Sequence, residues 1–170
     1  MIIGPRLRKV VLVAHVASSV GSLGAVAVFL VLAIVGLVSP DGETVRAVYI
    51  ANALIAWFVI LPLIVASLLI GLIQSLGTPW GLIRHYWVVV KLVLTVITVV
   101  VLLLQMGGIG EVASVAAETT LSGADLVGLR NSLWVHAAGG LAVLLTTTVL
   151  SIYKPRGLTP YGWRKQQAST

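Results

Sequence analysis

Long stretches of hydrophobic residues, broken only by short clusters of charged ones, form the main pattern of this 170-residue chain. Four segments contain no ionised side chain, at 10–40, 47–83, 92–110 and 131–153. A hydrocarbon core of about 30 Å needs about 20 helical residues to cross it, and backbone groups in lipid must bond within their own segment. The pattern therefore predicts four membrane-spanning helices, at 10–38, 49–76, 86–106 and 133–153.

The composition agrees with this pattern and excludes other classes of protein. Hydrophobic residues make up 59% of the chain and charged residues only 9%, whereas a soluble domain has about 25% charged residues. A soluble enzyme and a disordered chain are both excluded. The chain has no cysteine, which excludes disulfides and thiolate metal sites. We predict an all-α fold, in which 1–170 forms a single transmembrane domain built as an up-and-down four-helix bundle.

The charged residues are distributed asymmetrically about these spans. Nine of the 11 basic residues lie in the N-terminal segment, the second loop and the C-terminal tail, while all 5 acidic residues lie in the first and third loops. The positive-inside rule therefore predicts a cell-membrane protein with both termini in the cytoplasm. In this arrangement 107–132 is an outer loop, with a short helix near 111–119, and 154–170 is a cytoplasmic tail. Because the basic residues stand between hydrophobic runs, nucleic acid is not a predicted partner.

Small residues at four-residue spacing predict close packing between helices. They are, in the first span, Ala14, Ser18, Ser22 and Ala17, Gly21, Ala25; in the second, Ser67, Gly71, Ser75; and in the fourth, the cluster Ala138, Gly139, Gly140. Small side chains let helix backbones approach in lipid, where no hydrophobic force drives association. Pro62 lacks a backbone donor and predicts a kink in the second span. Tyr49 lies near a span end, where we expect it to anchor the chain at the membrane interface.

Polar side chains at membrane depth are the main candidates for function, because each is costly without a partner. They fall into two layers. The inner layer contains His15, His85 and Lys91. The outer layer contains Asn52, Gln105, Met106 and His136.

These layers fit two kinds of chemistry. A neutral imidazole can ligate haem iron, and ligands of matching depth on facing helices can hold a porphyrin between them. His15 with His85 is one such pair, and Met106 with His136 is another. A histidine near a buried lysine, as with His15 and Lys91, could instead pass protons.

Simpler roles are open for the same residues. Lys91 can extend its ammonium group to the inner surface, and His85 follows a basic loop and can lie at the interface. His15 and His136 can each bond to a neighbouring helix. The same role, or a place at the membrane boundary, fits Asn52 and Gln105.

The usual catalytic motifs are absent. No two histidines are spaced i,i+4, no Gly-rich loop ends in Lys-Ser or Lys-Thr, and no carboxylate lies within a span. The sequence therefore shows no machinery for hydrolysis or phosphoryl transfer, predicts no metal site, and favours a protein that is not an enzyme.

Two segments carry distinctive motifs: TPWGLIRHYWVVVKL at 78–92 and YKPRGLTPYG at 153–162. Together they resemble an uncharacterised family of small four-helix membrane proteins common in actinobacteria. The resemblance covers most of the chain and implies the four-helix fold, but it brings no activity with it.

A more distant resemblance rests on three features. They are His15 early in the first span, the pair Lys91-Leu92, and a last span introduced by Arg130-Asn131 and ended by Lys154-Pro155. These features are similar to those of HemJ-type protoporphyrinogen oxidases and CopD-like membrane domains. HemJ-type proteins bind haem using such residues, so the resemblance implies a haem b site with His15 and Lys91. The chain departs from that family at Ser132, where HemJ-type proteins carry an acid, and it lacks their further helix-borne histidines.

Three functional hypotheses follow. We favour a non-catalytic structural or interaction protein, working as a homo-oligomer or as a subunit of a membrane complex, because no complete catalytic constellation is present. The second is a b-type haem or porphyrin protein in electron transfer or tetrapyrrole oxidation, with His15 and Lys91 in an inner site and His136 in an outer one. The third is a small-molecule or ion transporter, which would need to oligomerise to build a path from four helices.

Overall fold

The protein is an all-α bundle, as the hydrophobic pattern predicts. The computed structural model describes residues 4–77, 81–118 and 126–167. Its helices are α1 (Pro5–Val38), α2 (Gly42–Ile55), α3 (Leu61–Leu76), α4 (Tyr86–Glu118), α5 (Val127–Tyr153) and α6 (Pro160–Gln167). A π-helical segment, Ala56–Ile60, joins α2 to α3, so that Gly42–Leu76 is one long helix. These described ranges thus contain four helices long and apolar enough to cross a membrane.

The four long helices form a closed ring. The backbone of α1 packs against α2 and α3 on one side and against α5 on the other, and α4 likewise lies between the α2–α3 helix and α5. Across the described residues, the backbone of α1 does not come close to that of α4, and the backbones of α2 and α3 do not come close to that of α5. Long helices that follow one another in the chain are therefore neighbours in the ring, and the ring surrounds a central space.

Helix α4 continues well beyond the predicted end of the third span. The sequence predicts a loop at 107–132, but residues up to Glu118 continue α4 and residues from Val127 begin α5. Buried positions recur every three or four residues here, at Met106, Ile109, Val112 and Ala116, and this is the periodicity of a helix. The short helix predicted near 111–119 is the end of α4, and Thr119 lies outside the described residues.

The π-helical segment lies directly before Pro62. Because Pro62 has no backbone N–H, the ordinary bond from its nitrogen to the carbonyl of Phe58 cannot form. The amide of Leu61 instead donates to the carbonyl of Ala56, five residues back. A widened turn of this kind is one of the usual ways for a helix to absorb such a defect, and it stands where the sequence predicts a kink.

Several of the predicted small-residue contacts are present between α1 and α3. Ser18 and Ser22 are buried, and a Cβ added to Gly71 would lie 3.0 Å from Cε1 of His15. A Cβ added to Gly21 would lie 3.2 Å from Leu63. These residues bring α1 and α3 close together at the end of the bundle that carries the N-terminus.

The start of α2 is capped by Asp41. Its carboxylate accepts hydrogen bonds from the backbone N–H of Thr44, at 3.0 Å, and from the Thr44 hydroxyl. These bonds stabilise the ionised carboxylate and lower the pKa of Asp41. An acidic N-cap accepts a hydrogen bond from a free backbone N–H, and its negative charge interacts favourably with the positive end of the helix dipole.

Candidate functional site

A cavity of about 390 Å³ lies along the centre of the ring. Its wall is apolar and includes buried residues such as Phe29 of α1 and Ile64 of α3. The wall also includes Ile97 of α4 and Val135 of α5, whose side chains are exposed on the outside of the bundle. Because one cavity reaches both sets of residues, it extends from the core to the outer surface on the α4–α5 side.

The glycines of α5 leave this space open. Gly139 and Gly140 line the cavity, and no atom lies within 4 Å of the position that a Cβ would occupy at either residue. The sequence predicts close helix packing at this cluster, and that prediction is wrong for both glycines. Small side chains here create volume and do not bring two backbones together.

Two polar residues of the cavity wall, His136 of α5 and Gln105 of α4, form a cluster with Ser132 of α5. Nδ1 of His136 is 2.8 Å from the backbone carbonyl oxygen of Ser132. The amide nitrogen of Gln105 donates to the Ser132 hydroxyl at 2.7 Å and lies 2.9 Å from Nδ1 of His136. Gln105 therefore joins two helices by hydrogen bonds, which confirms the interhelical role predicted for it.

The neighbours of Nδ1 of His136 favour opposite protonation states, because the carbonyl of Ser132 at 2.8 Å can only accept and the amide nitrogen of Gln105 at 2.9 Å can only donate. With the hydrogen on Nδ1, the ring donates to the Ser132 carbonyl and Nε2 keeps a lone pair. Within the part of the chain that the structure describes, no group hydrogen-bonds to Nε2. A histidine whose Nδ1–H is held by a carbonyl while Nε2 is available has the arrangement typical of a metal-ligating imidazole.

The other outer-layer candidate, Met106, lies elsewhere. Met106 is 6% exposed and packs in the hydrophobic core with Ile109 and Val112. It does not belong to the cavity wall, whereas its neighbour Gln105 does. The structure therefore brings Gln105 to His136, and it does not place Met106 beside the same space.

The inner-layer candidates take part in contacts between helices. Nδ1 of His15 is 3.1 Å from the carbonyl oxygen of Ser67 on α3, so His15 makes the interhelical bond that was one of its two predicted roles. The ammonium group of Lys91 donates to the hydroxyl of Ser151 on α5 and lies 5.8 Å from the centre of the Trp87 ring. Whether these residues also hold a cofactor stays a prediction.

His85 stands outside the helices. It forms an isolated antiparallel bridge with Leu158 of the C-terminal segment, and its ring centre is 6.4 Å from that of Trp87. Its backbone is therefore fixed between two segments at the end of the bundle. Across the described residues, no group of three or more His, Asp or Glu side chains is arranged to hold a metal ion.

A buried arginine makes a set of contacts between helices that sequence reasoning missed. Arg130 is only 3% exposed. Its Nε donates to the hydroxyl of Tyr49 at 3.0 Å, and one terminal nitrogen donates to the carbonyl of Gly36 at 2.7 Å. Its guanidinium carbon lies 5.5 Å from the centre of the Tyr49 ring. Three helices, α1, α2 and α5, are joined at this point.

Tyr49 is therefore not an interfacial anchor, and that prediction is wrong. Its side chain is 1% exposed, and a Cβ on Gly36 would lie 2.6 Å from Cζ of its ring. Only a glycine at position 36 leaves room for the ring. A glycine, a tyrosine and an arginine of similar predicted depth on three helices are the one sequence signal that could have indicated this cluster.

Asn52 is another polar residue that the structure buries. Its side chain is 0% exposed, and neither its amide nitrogen nor its amide oxygen has a hydrogen-bond partner. The interhelical bond that we predicted for Asn52 is not present in the described segments. A buried amide without partners carries a free-energy cost, because both groups lose water without replacement.

No known protein family, curated protein or solved structure matches this chain. The resemblances to an actinobacterial four-helix family, to HemJ-type oxidases and to CopD-like domains therefore stay predictions.

Proposed function

We propose that this protein is a non-catalytic membrane protein that binds a hydrophobic ligand in the cavity between α4 and α5. The observation that carries the proposal is His136, whose Nε2 has no hydrogen-bond partner among the described residues and lies in the wall of a mostly apolar space. An imidazole exposed to lipid alone is unfavourable. A ligand with a metal centre or a hydrogen-bond donor would supply the partner that this nitrogen lacks.

The dimensions and access of the cavity support a small-molecule ligand. Its volume of about 390 Å³ falls in the range of about 300–1,000 Å³ that is usual for ligand sites. Apolar walls with a few polar groups at one place are also usual for such sites. Because the cavity reaches the surface on the α4–α5 side, a ligand dissolved in the bilayer can enter without crossing water.

Haem b is the ligand that we propose to test first. Imidazole is an ordinary axial ligand of haem iron, and a hydrogen bond from Nδ1 of His136 to the Ser132 carbonyl would orient the ring and raise the basicity of Nε2. The described cavity wall contains no second histidine, methionine or lysine. The protein would therefore supply a single axial ligand, and the role of His15 and Lys91 in a separate inner haem site remains a further proposal.

A haem titration of the detergent-purified protein, followed by the Soret band, tests this proposal. We expect saturable binding to the wild type and loss of the shifted band in His136→Ala. Gly140→Leu should also block binding, because its side chain enters the open cavity without meeting protein atoms. The matched control is His85→Ala, which removes a histidine outside the cavity.

Two outcomes would contradict the proposal. One is a titration in which the wild type shows no saturable shift. The other is equal binding by the wild type, His136→Ala and Gly140→Leu, which would place haem elsewhere on the protein.

A homo-oligomer is the second candidate, and the exposed side of Gly139 favours it. A glycine facing outward on a membrane helix lets another helix approach closely, and a second copy seated there would also cover His136. Light scattering of the purified protein distinguishes the two roles. If the protein is a dimer that Gly139→Leu converts to a monomer, the glycine face is an interface; a monomeric wild type would exclude this role.

We also propose that both termini face the cytoplasm. The support is the excess of basic residues in the segments at that end of the bundle. The chain has no cysteine, so single cysteines introduced at Gln167 and at Glu43 can be labelled separately in intact cells. An impermeant maleimide should reach position 43 only; labelling of position 167 from outside would contradict the orientation.

A further inference from the structure

The segment after α5 is fixed to the end of the bundle by hydrogen bonds. The backbone N–H of Thr159 donates to the carbonyl of Arg84 at 2.9 Å, and the Thr159 hydroxyl donates to the carbonyl of Ile83 at 2.6 Å. The amide of Tyr86 donates to the carbonyl of Gly157 at 3.3 Å. Residues 154–167 therefore form a docked tail that is held on the connection between α3 and α4.

Close packing at Gly162 makes this docking specific. A Cβ at Gly162 would lie 2.4 Å from the carbonyl oxygen of Arg84, a distance that no real side chain tolerates. The N–H of Gly162 is also bound by the Thr159 hydroxyl, at 3.1 Å. The backbone of the tail therefore has a defined position relative to α4 and α5. Its basic side chains extend from fixed backbone positions.

The docked tail is cationic and has no acidic residue to balance it. Asp125 is the last acid in the chain, so the segment 126–170 carries only basic charges. Three of these, Arg156, Arg164 and Lys165, lie exposed on the tail. Lys165 also lies over a ring of the same helix, 5.9 Å from the centre of Tyr161.

Exposed aromatic residues place this cationic surface at the edge of the apolar helices. Tyr153, at the end of α5, is 79% exposed, and Trp163 of α6 is 57% exposed. Tyrosine and tryptophan favour the headgroup level of a bilayer. The contact between Lys91 and Ser151 shows that the start of α4 and the end of α5 share this end.

We propose that the docked tail is a binding surface for the headgroups of anionic phospholipids. Positive charge at fixed positions attracts a phosphate-bearing headgroup, and the aromatic rings set the depth at which the acyl chains enter the apolar surface. This surface lies at the end of the spans, which suits a lipid better than a nucleic acid or an acidic protein. The inference is independent of the ligand proposed for the central cavity.

The test is the binding of fluorescent phosphatidylglycerol to the protein in neutral detergent, measured by anisotropy, with phosphatidylcholine as the comparison lipid. Each basic residue near a headgroup contributes about five-fold to affinity. The triple variant Arg156→Gln, Arg164→Gln, Lys165→Gln should therefore bind phosphatidylglycerol on the order of 100-fold more weakly. The matched control removes three charges from the start of α1, at Arg6, Arg8 and Lys9. Its affinity for phosphatidylglycerol should fall by less than about five-fold.

A second variant changes the docking and keeps every charge. Gly162→Val collides with the Arg84 carbonyl, so it should release the tail and weaken phosphatidylglycerol binding by about ten-fold or more. Thr159→Ala, which removes hydrogen bonds without a collision, should act in the same direction. Circular dichroism of both variants checks that the four long helices remain.

Several outcomes would overturn the proposal. Equal binding of the two lipids would exclude a charge-selective surface, and equal losses in the two triple variants would show a general effect of net charge. Unchanged binding in Gly162→Val and Thr159→Ala, with the helices intact, would show that docking does not matter. Displacement of the lipid by inorganic phosphate at matched ionic strength would indicate a site for free phosphate and not for a lipid headgroup.

Discussion

Replacing Tyr49 with phenylalanine removes one hydroxyl from the centre of the cluster that joins α1, α2 and α5. The hydroxyl accepts the hydrogen bond from Nε of Arg130 at 3.0 Å, in a place where Tyr49 is 1% exposed and Arg130 is 3% exposed. The ring itself stays, so the contact between the guanidinium group and the ring face, at 5.5 Å, is kept. Tyr49→Phe therefore isolates the hydrogen bond from the packing and from the cation–π interaction.

The expected cost follows from the burial of a charged donor. A hydrogen bond to a charged group contributes about 1.5–3 kcal/mol, and a buried donor left without an acceptor loses that amount because water cannot replace the partner. We expect the free energy of unfolding to fall by about 2 kcal/mol. For a chain of this size, that corresponds to a decrease in Tm of about 4–8 °C.

Thermal unfolding in one detergent at fixed pH, followed by circular dichroism, measures this change. Tyr153→Phe is the matched control, because it removes the same atom from a side chain that is 79% exposed, and its Tm should stay within about 1 °C of the wild type. If Tyr49→Phe and Tyr153→Phe melt together with the wild type, Arg130 does not depend on Tyr49 and the cluster does not stabilise the bundle.

Two further changes test other polar groups. Asn52→Leu should raise the free energy of unfolding by about 1–3 kcal/mol, because an apolar side chain with the same branching replaces an amide that has no partner; a lower Tm in the thermal melt would contradict this prediction. The cap at Asp41 predicts a pH dependence: its pKa is lowered by the bonds from Thr44, so its contribution to stability is fully present above the pKa of the unfolded chain and is lost as the pH falls through the lower pKa of the folded protein. Melts at pH 6 and at a pH below the usual range of an aspartate should therefore show a smaller difference in stability between Asp41→Ala and the wild type at the lower pH, and an equal difference at both values would refute the linkage.

The four long helices were predictable because lipid leaves the backbone few alternatives. A charge-free run of sufficient length must be helical whatever the β-propensity of its valines, so the pattern alone places the spans. The ends of the helices were harder to predict, because a helix can continue beyond the part of it that crosses the membrane. Gly107 and Gly108 suggest a break after Met106, but the buried spacing of Ile109 and Val112 continues α4.

The polar layers were only partly predictable because depth does not give direction around a helix. Met106 and Gln105 have nearly the same depth, yet one packs in the core and the other reaches His136. Gly140 illustrates the same difficulty, because a small residue gives close packing on one face and empty volume on another. The side of a helix that faces the core depends on which helices become its neighbours in the ring. The sequence of a single span does not contain that information.

Photolabelling tests the central claim, that a molecule from the bilayer enters the cavity between α4 and α5. The protein in lipid nanodiscs is exposed to an alkyl diazirine probe, irradiated and mapped by peptide mass spectrometry. We predict adducts concentrated on cavity residues such as Val101 and Val143 and abolished by Gly140→Leu. Adducts spread evenly over outward-facing residues such as Leu104 and Ile152, at 76% and 71% exposure, and unchanged in Gly140→Leu, would contradict the account.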